Sequence, residues 1–317
     1  MKITMPVAKS NIHTANGNIY PSEVLLKMAE EFNKKYNDNV KEGDEELCQS
    51  ETTSVKRMKE NYEQIPKTKL MRRTPVAIRI DGKAFHTYTR GFKKPFDSVL
   101  VKSMQDTMKY LCENIQGTVF GYTQSDEITL ILVDYKNLNS DAWFDYEVQK
   151  VCSISASMAT MAFNKAFKKR LTEDKMSYRC SLVPQDVEMQ KEMTKYYETL
   201  EAAAEKGAMF DARCFNIPKE EVTNLVFWRQ LDAARNSVEM VGRAYFSDKE
   251  LFKKSCSDIQ DMLHDKYNVN WNNYPAYLKR GSACVKAEDG GWRIDLDMPM
   301  LKGDARTYLD SLVFVGE

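Results

Sequence analysis

Histidine is scarce in this chain: His13, His86 and His264 are the only three in 317 residues. That argues against a multi-histidine transition-metal centre and leaves hard cations held by oxygen, Mg²⁺ first among them. The seven cysteines form no C-x-x-C pair. A zinc ribbon or a thioredoxin-type redox pair is therefore not supported, and a reduced, cytoplasmic compartment is expected. No apolar run approaches the roughly 20 residues that span a bilayer. The N-terminus has no apolar secretory core, so a soluble protein without a membrane partner is expected. Net charge is missing too, with Lys+Arg and Asp+Glu at 46 each. Any nucleic-acid surface has to arise from local segregation of charge. Basic clusters occur at Lys67, Lys69, Arg72 and Arg73, at Lys93 and Lys94, at Lys165, Lys168, Lys169 and Arg170, and at Lys279 and Arg280. Each alone reads as a solvated helix face or loop end before it reads as an RNA contact.

What the chain does contain is two short acidic signatures joined to β-type apolar runs. Val76-Ala77-Ile78 enters Arg79-Ile80-Asp81-Gly82-Lys83-Ala84-Phe85-His86, and Ile128 to Val133 leaves Gln124-Ser125-Asp126-Glu127. Around them the pattern predicts a strand at 76–80. A helix capped by Asp97 follows, with Leu100, Met104, Met108 and Leu111 at helical spacing and Gly117 ending it. Strands near 118–123 and 128–134, a long helix from about Phe144 to Lys169, and a strand from Ala212 to Ile217 complete the series. The order β-α-β-β-α-β predicts an α+β, ferredoxin-like polymerase palm over about 74–218, with additional helices and a C-terminal extension. Residues 1–53 read as an N-terminal extension, with an amphipathic helix from Pro21 to Tyr36 and a polar linker after it. The catalytic domain is expected over 54–317. Within it, 171–209 reads as an insertion whose second half is a charged, exposed helical arm. Ser247 and Glu250 predict a capping box opening a helix to about Tyr267. The remainder to 317 reads as turn-rich.

Carboxylates at the ends of neighbouring strands suit the holding of divalent cations against phosphates. Two Mg²⁺ ions stabilise both the attacking and the leaving oxygen of an in-line phosphoryl displacement. Asp81 and Asp126 are the candidate bridging ligands, and Gly82 offers a carbonyl at close approach. Glu127 ranks below them, because strand alternation aims it away from Asp126. Singly, Asp-Gly and Ser-Asp-Glu read as turns; together, at strand ends in a palm order, they read as a metal site. Lys83, Lys94 and Lys150 are candidates to neutralise triphosphate charge. Backbone N–H groups from Lys83 to His86 are a candidate anion nest. His86 is equally a phosphate or ribose donor and a packed structural residue, and Phe85 is a core aromatic before it is a base-stacking one. Arg229, Asp232 and Asn236 share a helix face at i, i+3 and i+7 beside Trp228, and read as a buried network before an RNA-facing ridge.

These residues resemble the tRNA-histidine guanylyltransferase superfamily, the 3′–5′ RNA polymerases, and most of all its bacterial-type guanylyltransferase-like branch. The resemblance runs over about 55–285 apart from the insertion. It is carried by Arg79–His86, Gly91–Asp97, Tyr110–Gly117, Gly121–Glu127, Phe210–Arg213, Trp228–Ser237, Asn270–Tyr274 and Lys279-Arg280-Gly281. It implies a palm on which the 3′-hydroxyl of an incoming nucleotide attacks an activated RNA 5′ end, with GTP or other nucleoside triphosphates as substrates and ATP for 5′ activation. It implies Asp81, Gly82 and Asp126 as metal ligands, and Asp81 to His86 (with Ala84 among them), Ser125 and Asp126 as the nucleotide site. It also implies Lys94 and Lys150 at triphosphate, tRNA as partner, and a homotetramer. One departure is informative. Enzymes specific for histidine tRNA carry a histidine in the helix after W-R-Q, where this chain has Ala234. That favours template-dependent repair of 5′-truncated tRNAs over strict dependence on histidine tRNA. A guanylyltransferase proper and an inactive RNA-binding module on the same fold are the alternatives. A palm-type cyclase is disfavoured by the W-R-Q helix.

Overall fold

The computed structural model describes residues 54–180 and 187–316, with two further helical positions at Lys27 and Glu31. Apart from those two positions, the N-terminal helix and linker expected over 21–53 lie outside the described residues. The chain divides into two units, Met1–Lys67 and Thr68–Glu317. In the first, residues 54–58 are helical and run into a π-helical turn, Lys59–Glu63, with Lys67 paired to Glu63 at 3.2 Å.

The second unit is built on one antiparallel sheet. Four strands form the palm: β1 (Val76–Gly82), β2 (Thr118–Gln124), β3 (Glu127–Leu132) and β4 (Phe210–Asn216). Two more extend it, β5 (Ser282–Lys286) and β6 (Trp292–Asp295), giving the order β4-β1-β3-β2-β5-β6. The helices that follow β1 are a single turn, α1 (Phe85–Tyr88), and α2 (Ser98–Asn114). After β3 comes α3 (Val148–Cys180), then α4 (Val187–Lys206). The βαββαβ order read from the sequence is therefore the order observed. Both sheet faces are covered, which explains why the palm strands read as nearly continuous apolar runs. Val76, Ile78 and Ile80 of β1 join Ile128, Leu130 and Leu132 in the core that includes α2 and α3. Ala77 and Ile131 point the other way, toward Val222 and Val226 of α5 (Lys219–Tyr245).

Local signals account for most boundaries. The Asp97 carboxylate accepts from the N–H groups of Val99 and Leu100, both at 3.0 Å, and so starts α2. Gly117, at φ +83°, turns the chain out of it into β2. Four readings need correction. First, α3 starts at Val148 rather than Phe144, because Phe144 and Asp145 hold left-handed φ values of +51° in a 3₁₀ turn, and it runs on well beyond Lys169. Second, α4 is not an exposed arm. Tyr196, Tyr197, Leu200, Ala203 and Ala204 form one buried stripe, since their spacing puts them on one helix face while the charges take the other. Third, the capping box at Ser247 opens only α6 (Asp248–Leu251). Lys253, at φ +58°, breaks the helix, and a second box, Ser255 with Asp258, opens α7 (Cys256–Tyr267). Fourth, the C-terminal part contributes the β5–β6 hairpin, whose turn signal is Asp289-Gly290-Gly291. Beyond these lie α8 (Ala276–Arg280) and α9 (Thr307–Val313).

Candidate active site

Asp81 is the last residue but one of β1, and Asp126 occupies the tight turn between β2 and β3, where Gln124 pairs with Glu127. The two are tied through the main chain: the Gly82 N–H donates to the Asp126 carbonyl at 3.1 Å. The structure thus brings Asp81 and Asp126 together. Each carries a raised carboxyl pKa. For Asp81 the causes are burial, then the negative charges of Glu127 and Asp211, opposed by Arg213 and Arg79. For Asp126 burial again leads; the hydrogen bond from Ser125 Oγ, at 2.8 Å, pulls the other way, and Asp81 and Glu127 push up. Crowded, desolvated carboxylates of this kind are what a bound cation relieves.

Glu127 lies directly opposite Asp81 in the β1–β3 register, and directly opposed residues share a sheet face. It is therefore on the Asp81 side, but its carboxylate is taken by arginines. Arg79 Nη2 lies 3.3 Å and Arg229 Nη2 2.5 Å from Glu127 Oε2. Arg229 also pairs with Asp232 at 3.0 Å, and Asp232 accepts from Arg235 at 2.6 Å and from Asn236 at 3.3 Å. The polar ridge read on α5 is thus a buried network anchored on the acidic hairpin. The guanidinium carbons of Arg79 and Arg229 lie 5.4 and 4.7 Å from the ring centre of the half-exposed Trp228. Asp211 and Arg213, across β1 on β4, are the neighbours that reading the sequence missed. The β4-next-to-β1 pairing of a βαββαβ sheet was the available signal, since it sets Asp211 opposite Asp81.

The remaining candidates divide. The Lys83 N–H is bonded to the Met209 carbonyl at 2.8 Å and is lost to any anion nest. Ala84 is left-handed, at φ +53°, and no side chain caps α1 behind it, where the N–H groups of Phe85 and His86 begin the turn. The Lys83 and His86 side chains are exposed. Phe85 is a core aromatic, its ring 5.1, 5.6 and 5.2 Å from those of Tyr88, Phe163 and Phe210. It lies so close under Gly82 that a side-chain carbon there would meet the ring at 2.2 Å. Gly82→Ala is therefore expected to cost about 1–3 kcal/mol in a denaturant melt, the usual range for overpacking, and to displace Asp81. Lys94 is exposed in the loop before α2 and makes no ion pair among the described residues. Lys150 is not brought to the pair. It is paired with Glu147 at 3.5 Å in the first turn of α3, a turn whose Val148 carbonyl lies 4.0 Å from Cys214 Sγ. The helix reaches Phe210, opposite Gly82, only at Thr160. Ten residues of helix separate the two levels, about 15 Å.

A cleft of about 80 Å³ opens beside the hairpin. Phe96, Leu100 and Met104 line one wall, Ser125 the end next to Asp126, and Asn236 and Met240 of α5 the other wall. It is an apolar slot edged by amide and hydroxyl groups. Among the described residues, no group of three or more His, Cys, Asp or Glu side chains is placed to hold a metal ion. The donor set expected from the sequence is two carboxylates and the Gly82 carbonyl, of which the structure brings the two carboxylate-bearing residues together. That fits Mg²⁺, which takes one or two carboxylates and completes its shell with water and substrate phosphate; it does not fit an all-protein cage.

Comparison with known proteins follows the same lines. The sequence model of the tRNAHis guanylyltransferase family matches residues 55–218. A bacterial tRNA(His) guanylyltransferase-like protein solved with ATP is 36% identical, with a TM-score of 0.68, covering 83% of this chain and 99% of that one. Such a protein solved with GTP is 32% identical, with a TM-score of 0.61, over 82% of this chain and 99% of the other. The probable tRNA(His) guanylyltransferase of Dictyostelium discoideum is 24% identical over 230 residues, 68% of this chain and 77% of that protein.

Proposed function

From the premise that this chain belongs to the tRNAHis guanylyltransferase family and is a nucleotidyltransferase, we propose that it extends RNA 5′ ends in the 3′–5′ direction, with Mg²⁺, repairing 5′-truncated tRNA on a template. The observation that carries the reading is the convergence of Asp81 and Asp126 beside an open cleft, each carboxyl held above its ordinary range. Asp81, Asp126 and the Gly82 carbonyl are the proposed ligands of two Mg²⁺ ions. When bound, the ions supply charge stabilisation to the attacking and leaving oxygens. Glu127, spent on arginines, sets the field rather than serving as a direct ligand. The cleft takes the base of GTP or another nucleoside triphosphate. Lys94, free of ion pairs, and the exposed Lys83 neutralise the triphosphate, while His86 offers a further donor. The 3′-hydroxyl of that nucleotide attacks the α-phosphorus of a 5′ end that is triphosphorylated, or adenylylated by ATP. Pyrophosphate or AMP leaves. Trp228, half-exposed and braced by two guanidiniums, faces the RNA substrate as a stacking surface. A homotetramer acting in the cytoplasm belongs to the same proposal; no helix among the described residues is long and apolar enough to cross a membrane.

Ala234, half-buried on α5, removes the side chain that would tie recognition to histidine tRNA. A panel of transcripts lacking the 5′ nucleotide, with labelled nucleotides, should show comparable addition to several tRNA species. Strong preference for the histidine species would overturn the repair reading in favour of a guanylyltransferase proper.

The pH behaviour follows from the sign of the shifts. A carboxyl whose pKa is raised by folding favours the folded state below the ordinary carboxylate range and loses that contribution as pH rises through the raised value. Metal-free protein should therefore draw stability from this pair on mild acidification. Added Mg²⁺ should raise Tm at neutral pH, where the pair is ionised and unrelieved. At subsaturating Mg²⁺, nucleotide addition, which needs both carboxylates free of protons, should have an acid limb above the ordinary carboxylate range, and saturating Mg²⁺, by favouring the ionised pair, should move it to lower pH. A Tm insensitive to Mg²⁺ at neutral pH would count against the metal assignment.

A further inference from the structure

We propose that α4, whose charged sequence suggests a free arm, is the buttress that fixes the Gly91–Asp97 loop for triphosphate binding, with Tyr196 as the positioning residue. The proposal rests on the reading that Lys94, in this loop, meets the nucleotide's triphosphate.

Three separate contacts join the helix to the loop. The Tyr196 hydroxyl donates to Asp97 Oδ2 at 2.9 Å. The Lys93 ammonium lies 4.2 Å from the centre of the Tyr196 ring. One turn along the helix, Thr199 closes over Gly91, which holds φ +87° and on which a side-chain carbon would lie 3.1 Å from Thr199 Cγ2. Tyr196 is itself 8% exposed and Asp97 3%. Asp97 is the hub: besides the tyrosine it accepts from the N–H groups of Lys93 at 3.1 Å and of Val99 and Leu100. A single buried carboxylate thus ties the loop's start, the first turn of α2 and α4 together.

The consequence is preorganisation. Lys93 is drawn back onto an aromatic face, an attraction ordinarily worth about 0.5–1 kcal/mol at exposed sites. Its neighbour Lys94 has no partner among the described residues. Holding the loop in one conformation before the ligand arrives spares the ordering cost that a free lysine-bearing loop incurs on binding. The ligand this arrangement serves is the polyphosphate of a nucleotide, not its base.

The test is Tyr196→Phe, which keeps the ring over Lys93 and removes only the hydroxyl. Binding of GTP and of GMP is measured by titration calorimetry in the full chain, alongside Lys94→Met and the double variant. Tyr196→Phe should weaken GTP roughly three- to tenfold, the size of one ordinary net hydrogen bond, since Asp97 keeps its three backbone donors, leave GMP unchanged, and add nothing in the Lys94→Met background. In nucleotide addition the loss should fall on KM for the triphosphate rather than on kcat. If Lys94→Met weakens GTP but Tyr196→Phe does not, the buttress alone is refuted. Equal loss of GTP and GMP in Tyr196→Phe, or additive loss in the double variant, makes Tyr196 merely structural and also refutes it. If Lys94→Met leaves GTP binding unchanged, the lysine assignment fails and this proposal with it.

Discussion

Asp126→Asn lowers nucleotide addition by about three orders of magnitude or more and leaves the metal-free fold at least as stable as the parent. Asp81→Asn does the same. The two halves of this expectation come from different properties of the same carboxylates. The rate loss follows because a catalytic cation supplies several kcal/mol of transition-state charge stabilisation, and each 1.36 kcal/mol is tenfold in rate. The stability follows because each carboxyl is held above its ordinary range by burial and by its acidic neighbours. An amide of the same shape removes a buried negative charge, and at position 126 it still accepts the Ser125 hydroxyl, which now stands 2.8 Å from Asp126 Oδ1. Steady-state addition to a 5′-truncated tRNA, with thermal melts in EDTA and in Mg²⁺, separates the two. The Mg²⁺-dependent rise in Tm should disappear in both variants. Retained activity would remove these residues from the chemistry, whereas lower stability in EDTA would show that the pair is structural.

The acidic pair was legible because it depended only on element order. In a βαββαβ sheet β1 lies beside β3, so a residue at the end of β1 and one in the β2–β3 turn meet whatever the intervening chain does. The Asp97 cap and the α5 network were legible for a similar reason, being set by spacing within one helix. What spacing could not supply was partnership across elements. Glu127 was ranked low by alternation measured from Asp126, its neighbour in sequence, when the relevant neighbour was Asp81 across the ladder. Phe85 is the core aromatic its sequence favours, and the absence of a side chain on Gly82, which lets its ring pack under the strand end, is the part that spacing could not supply. The buried stripe of α4 is visible in its sequence as Tyr196, Tyr197, Leu200, Ala203 and Ala204, but the surrounding Glu and Lys masked it.

Arg229→Met should be the most damaging single change outside the acidic pair. Its side chain is 5% exposed and holds two carboxylates, Glu127 at 2.5 Å and Asp232 at 3.0 Å. Removing one partner of a buried pair typically costs about 3–5 kcal/mol, because the other charge stays behind without compensation. Here Arg79 still reaches Glu127 and Arg235 still reaches Asp232, so the low end of that range is expected. The same loss strengthens the negative field at Asp81 and Asp126, both of which already feel Glu127. The acid limb of nucleotide addition should therefore move to higher pH in the variant. Lysine at this position should rescue poorly, since one ammonium does not reproduce a planar fork shared between two carboxylates. The decisive comparison is Arg229→Met with Glu127→Gln in one chain. If the cost arises from an abandoned charge, neutralising that charge returns much of the stability and brings the acid limb back down, a coupling that a double-mutant cycle measures directly. If the two losses simply add, Arg229 acts through packing against Trp228, and the hairpin's field is set without it.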